Sequence, residues 1–247
     1  MKKYIMGNWK MNMLPNEAID YINKLEEKLE TLKNINEKLD IALYVPYINI
    51  FYANLMSQET DIIIGAQNMC YQDSGAYTGE ISADMLKSVD IDTVLIGHSE
   101  RRHVFNESDM MINRKVIKSQ EKDMQAVFCI GETLEENESG KTEEVLKNQI
   151  ETGLKDVDIK NIIVAYEPVW AIGTGKVCDS DKANEIIKYI KEILKNDYGK
   201  ELPVLYGGSV SPDNAKEILS KEYIDGVLVG GASLDVDKFF EIITAGI

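Results

Sequence analysis

Eight short runs of β-branched or apolar residues recur along the chain at intervals of roughly 30 residues, each followed by a stretch able to form a helix. They are Tyr4 to Met6, Ile41 to Val45, Ile62 to Ala66, Thr93 to Ile96, Val127 to Ile130, Ile162 to Ala165, Val204 to Tyr206 and Val227 to Val229. Most lack polar alternation, as strands of a parallel sheet covered on both faces do. Between the first two runs, Ala18, Ile22, Leu25, Leu29 and Leu32 mark one face of an amphipathic helix. After the sixth, Ala183, Ile187, Ile190 and Leu194 mark another, with Asp179, Ser180 and Asp181 supplying caps and negative charge at its start. No Pro/Gly/Ser-rich linker interrupts the 247 residues. The pattern predicts an α/β chain folded as one catalytic domain over residues 1–247, a closed eight-stranded parallel (β/α)8 barrel, with a doubly wound open sheet as the alternative.

Charge and cysteine usage narrow the partners. Against 42 acidic side chains stand 27 basic ones, a formal net charge of −15 that repels nucleic acid and anionic lipid, so neither is expected as a partner. No run of apolar residues is long enough for a membrane span, and the opening Met1-Lys2-Lys3 leads into Asn8, Lys10 and Asn12 rather than a signal core. Cys70, Cys129 and Cys178 are widely spaced, with no Cys-x-x-Cys and no companion histidines. That usage fits a reducing cytoplasm and offers neither a disulfide framework nor a zinc site. Two Asn-x-Ser triplets, at Asn106 and Asn137, are read as accidental.

In a barrel of this kind, chemistry collects where strands end and βα loops begin. There the sequence turns abruptly polar. Gly7-Asn8-Trp9-Lys10 follows the first run, Gly97-His98-Ser99-Glu100-Arg101-Arg102 the fourth, and Tyr166-Glu167-Pro168 through Lys176 the sixth. Tyr206-Gly207-Gly208-Ser209 and Gly230-Gly231-Ala232-Ser233 close the seventh and eighth. Two small-residue turns on those last strands leave backbone N–H groups free for a phosphate. Gly173-Thr174-Gly175-Lys176 lacks the spacing and the Ser or Thr of a nucleotide loop.

These segments, with Cys129-Ile130-Gly131-Glu132 and Gly226 to Leu234, resemble the triosephosphate isomerase family from end to end and in family order. The resemblance implies a TIM barrel that interconverts dihydroxyacetone phosphate and glyceraldehyde 3-phosphate through an enediolate, in glycolysis and gluconeogenesis, with no redox cofactor and no metal. Residue by residue, it makes Glu167 the base, His98 a neutral electrophile, and Lys10 and Asn8 the groups that meet the substrate's negative charge. Glu100 joins this constellation by handling protons or positioning Lys10. Backbone amides of Gly173, Ser209, Gly230 and Gly231 hold the phosphate. Ile172 and Leu228 clamp the base when a lid starting near Pro168 closes. Burial among apolar walls is expected to raise the Glu167 pKa toward the working range of a base. His103, the other histidine, is assigned to the surface.

The resemblance also implies a homodimer, with Gln67, Thr78 and the loop around Tyr71 to Glu80 projecting into a second subunit. Three positions depart from the family pattern. Lys191 and Tyr223 stand where an arginine and an aspartate are expected to pair, and Ala83 stands where proline is frequent. A Schiff-base aldolase on the same scaffold is the rival enzyme class, but it lacks a suitably placed lysine at the end of the sixth run, Lys176 falling in the presumed lid. A noncatalytic phosphate-binding protein is the third reading.

Overall fold

Strands β1 (Lys3–Asn8), β2 (Leu39–Val45), β3 (Ile62–Ala66), β4 (Thr93–Ile96), β5 (Gln125–Ile130), β6 (Ile162–Tyr166), β7 (Val204–Tyr206) and β8 (Gly226–Val229) pair in parallel in chain order. β8 returns to pair with β1, Val227 opposite Ile5, so the sheet closes and leaves no free edge. This is the expected barrel, seen in a computed structural model that describes residues 2–171 and 178–247.

Most strand residues are buried because each strand has two apolar neighbours, Ile63 on β3 being the exposed exception. Met6, Ala42, Tyr44, Leu95, Val127, Cys129, Ile163, Ala165, Leu205 and Leu228 point into the barrel and fill it. The alternate residues, among them Ile5, Ile41, Val94, Phe128, Val164 and Val227, pack outward against the helices. The filling is complementary in size. Tyr44 lies across the interior with its hydroxyl 2.9 Å from Thr93 Oγ1, and a Cβ at Gly65 on β3 would fall 2.4 Å from the Tyr44 ring. Only a residue without a side chain leaves that ring its space.

The helix Pro15–Leu29 buries Ala18, Tyr21, Ile22, Leu25 and Leu29. Leu32 falls beyond its end, in the following turn, and still packs against the core. The helix Ser180–Tyr198 begins as its sequence requires. Asp179 Oδ1 accepts the Asp181 and Lys182 N–H groups at 3.0 and 3.1 Å, and Gly199 ends the helix at φ +68°. Ala83 opens the helix Ala83–Lys87 behind the Ser82 cap, at the first helical position, where proline is equally at home.

The expected lysine–tyrosine mismatch is corrected by the coordinates. Lys191 has its anion two residues further along, at Asp225, whose Oδ2 lies 2.6 Å from Nζ and also accepts the Val204 N–H at 2.8 Å. Tyr223 instead carries Lys188 over its ring at 5.6 Å. Among the described residues no helix is long and apolar enough to cross a membrane.

Candidate active site

The C-terminal ends of the strands open into a cavity of about 250 Å³ lined by Asn8, Lys10, His98, Glu167 and the turns after β7 and β8. Asn8 ends β1. Its buried Oδ1 accepts the Lys10 N–H at 3.0 Å and so sets the first bend of the loop. Lys10 is held at φ +54°, a left-handed conformation that costs a non-glycine residue on the order of 1 kcal/mol. Its ammonium lies 2.8 Å from Glu100 Oε1. Glu100 is thus ion-paired with Lys10, and its other oxygen lies 3.7 Å from the His98 ring.

His98 follows β4 at a turn that Gly97 makes possible with φ +77°. Arg102 pins that turn, donating to the Gly97 carbonyl at 2.7 Å and to the Cys129 carbonyl at 2.9 Å. The imidazole caps the short helix Ser99–His103, its Nδ1 accepting the Glu100 N–H at 3.2 Å. That bond leaves the ring proton on Nε2, which faces Glu167 Oε1 at 3.0 Å. Burial pushes the His98 pKa down, but the Glu167 carboxylate beside it, with Glu100 behind, outweighs this and the net direction is up. The upward push belongs to a charge that disappears when Glu167 takes up a proton. The resemblance implies a neutral ring, whereas the net direction beside the Glu167 carboxylate favours the protonated one. His103 is exposed, as expected.

Glu167 is 2% exposed at the end of β6. Besides His98 it has the Ser99 N–H, donated to Oε2 at 2.8 Å. Here the expectation fails in sign. Burial raises the carboxyl pKa, but the His98 ring and the Ser99 N–H more than offset it, and the group is held below the ordinary glutamate value. The sequence shows an apolar strand end and conceals the two donors converging on the carboxylate from another loop.

Glycines make room for this carboxylate. A Cβ at Gly131 would lie 1.7 Å from the Glu167 carbonyl oxygen, and one at Gly207 would lie 2.9 Å from Glu167 Cγ. Gly131 is itself clasped by Gln149, which accepts its N–H at 2.8 Å and donates to its carbonyl at 3.0 Å. The sequence marks neither Gly131 nor Gln149 as a functional position, since only the packing against Glu167 reveals the need for glycine.

On the opposite wall, Gly230 precedes the 3-10 turn Gly231–Leu234, whose first N–H groups have no partner within the turn. A Cβ at Gly231 would meet open space, and one at Gly230 would sit 3.4 Å from Lys10 Cε, so this turn and the ammonium border the same volume. Ser209, whose Oγ donates to the Ala171 carbonyl at 2.6 Å, also lines the cavity. Leu228 lines the cavity too. Gly173 and Ile172 lie outside the described residues.

Glu132, fully buried beneath the sixth loop, accepts Trp170 Nε1–H at 2.8 Å, Asn137 Nδ2–H at 3.0 Å and the Tyr166 hydroxyl at 3.2 Å, all on Oε1. Its burial raises the carboxyl pKa against those donors.

A buried carboxylate against an imidazole, with an ammonium and a glycine turn across a small cavity, defines a barrel enzyme that moves protons on a compact anionic substrate. A profile of the triosephosphate isomerase family matches residues 3–246. Triosephosphate isomerase of Alkaliphilus metalliredigens is 44% identical over 249 residues, covering 98% of each chain. That of Mycoplasmopsis pulmonis is 46% identical over 248 residues, covering 99% of this chain and 98% of the relative. A crystal structure of triosephosphate isomerase from Bartonella henselae superposes with a TM-score of 0.89 at 37% identity over 99% of both chains. The chain belongs to the triosephosphate isomerase family and is an intramolecular isomerase.

Proposed function

We propose that Asn8, Lys10, His98, Glu100 and Glu167 carry the family's reaction, the interconversion of dihydroxyacetone phosphate and glyceraldehyde 3-phosphate. The observation that bears most of the weight is the 3.0 Å approach of Glu167 to His98 Nε2 inside the cavity that also holds Lys10. Glu167 removes a proton from the carbon beside the carbonyl, a step in which a placed base contributes about 10²–10⁴-fold. The Nε2–H of His98 and the Lys10 ammonium meet the negative charge that develops on the oxygens of the enediolate. His98 then passes its proton between those oxygens, and Glu167 returns the carbon proton to the neighbouring carbon. Asn8 fixes the bend of the loop and Glu100 fixes the ammonium.

The phosphate dianion is held by amides of Ser209, Gly230 and Gly231, with Gly173 assigned on resemblance. Each hydrogen bond to a charged group contributes on the order of 1.5–3 kcal/mol, so local donors suffice despite the acidic surface. A coupled assay on the purified chain, with Glu167→Gln beside it, tests the assignment. Turnover of both triose phosphates by the wild type and its loss in the variant support it, and equal turnover by both overturns it.

The chain works as one domain and as a homodimer in a reducing cytoplasm. Residues 72–80 are exposed throughout, on a loop closed at its base by the bridge between Cys70 and Ser82. A second cavity of about 210 Å³, lined by Lys10, Met11, Tyr47, Gln67, Arg101 and Phe105, adjoins the first and suits a partner's Thr78 loop. Met11, Leu14, Ile48, Tyr77, Val104 and Phe105 are exposed apolar side chains, which association would cover. The three cysteines are buried free thiols, in keeping with that compartment.

A further inference from the structure

Two non-glycine residues in the loop after β1 are left-handed, Lys10 at φ +54° and Met13 at φ +72°. Such residues persist where their surroundings over-determine them. Each of these two has its carbonyl met by a side-chain amide from a different loop or helix. Gln67, just after β3, donates from Nε2 to the Lys10 carbonyl at 2.8 Å and to the Tyr44 carbonyl at 3.0 Å. Asn49, in the helix Tyr47–Ser57, donates from Nδ2 to the Met13 carbonyl at 2.9 Å.

Asn49 is the more telling of the two. It is 0% exposed, and its Oδ1 has no partner among the described residues. An amide buried with its acceptor unpaired is a poor way to fill a core, and leucine of similar size fills the same space without that penalty. What the amide adds is its bond to Met13. Gln67 in turn shares the Tyr44 carbonyl with the Trp9 N–H, which lies 3.0 Å from it, so the residue before Lys10 is tied to the same point. The Asn12 amide closes the loop on itself by donating to the Trp9 carbonyl.

We propose that Gln67 and Asn49 are positioning residues that hold the strained loop so that the Lys10 ammonium stands in the active-site cavity. Gln67 thus acts within its own subunit, on the backbone of the lysine, besides lying at the root of the projecting loop. The proposal rests on the assignment of Lys10 to the substrate's charge.

The test uses Gln67→Glu, which keeps the shape and removes the donors, and Asn49→Leu, which removes the donor and fills the same volume. Each is made alone and with Lys10→Met. In the Lys10 background each is expected to lower kcat/KM and equilibrium binding of inorganic phosphate by about tenfold or more. With Lys10→Met, the same substitutions should change phosphate binding by less than about twofold, since their effect runs through the lysine. Unchanged kcat/KM in either folded variant overturns the proposal, as does an undiminished effect of the substitutions after Lys10→Met. Asn49→Leu decides the matter if Gln67→Glu does not fold. The assignment beneath the proposal fails separately, by full activity of Lys10→Met.

Discussion

Glu167 and His98 hold each other 3.0 Å apart through Oε1 and Nε2, although one is 2% and the other 6% exposed. Each group answers the other's burial, the carboxyl of Glu167 being held below its ordinary pKa and the His98 ring turning Nε2 toward it.

Shortening the base separates these two functions. Glu167→Asp keeps the charge and draws the carboxylate back from both His98 and the substrate carbon. Its kcat is expected to fall by about 10²–10³ with little change in KM, and Glu167→Gln to fall further, both read in the coupled assay.

The pair also ties stability to pH in two windows. Glu167 has its pKa depressed below 4.5, so its contribution is complete above that value and is lost as pH falls through the lower folded value. His98 has its pKa raised above 6.5, so its contribution is complete below that value and is lost as pH rises through the higher folded value. The difference in Tm between wild type and His98→Gln should therefore shrink above pH 6.5. A difference that grows in that range contradicts the coupling.

Gly207→Ala places a methyl group against Glu167 Cγ, 2.9 Å from the built Cβ. Displacement of the base by about 1 Å is expected to lower kcat by about 10²-fold while inorganic phosphate binds as before, since the amides of Gly230 and Gly231 are untouched. Steady-state kinetics beside a phosphate titration reads both.

Glu132→Ala removes the acceptor shared by Trp170, Tyr166 and Asn137. The buried Tyr166 hydroxyl and the half-buried Trp170 and Asn137 donors lose an acceptor together, which is expected to lower unfolding stability by about 2 kcal/mol in urea. Glu132→Gln, which keeps an acceptor oxygen in the place of Oε1, should recover most of it.

If a second copy's 72–80 loop meets the cavity beside Lys10, Phe105→Asp on that cavity or Tyr77→Asp on the loop introduces charge into the contact. Sedimentation should show the wild type as a dimer and these variants shifted to monomer, with activity falling in parallel.

Much of this molecule was legible from the sequence because strands covered on two faces announce themselves. All eight strands occur where the apolar runs stand, and residues at the ends of β1, β4, β6, β7 and β8 line one cavity. What stayed hidden depends on partners distant in the chain. The Glu167 pKa turned on an N–H from residue 99 and a ring from residue 98, which no apolar pattern around β6 betrays. The sequence does not show Asp225 as the partner of Lys191, because the two lie 34 residues apart and are joined by the fold, not by spacing. Gly131 was quoted as part of a motif, but its need to be glycine is visible only against the Glu167 carbonyl.

The Tyr44 ring lying against Gly65 has an evolutionary consequence. Neither position can drift alone: a methyl group on β3 would demand a smaller neighbour on β2, and a smaller neighbour would leave a hollow at the centre of the molecule. Related chains should therefore exchange these two residues together, keeping their summed volume, and one that swaps only one of them should bear its compensation at Thr93, the third member of the contact.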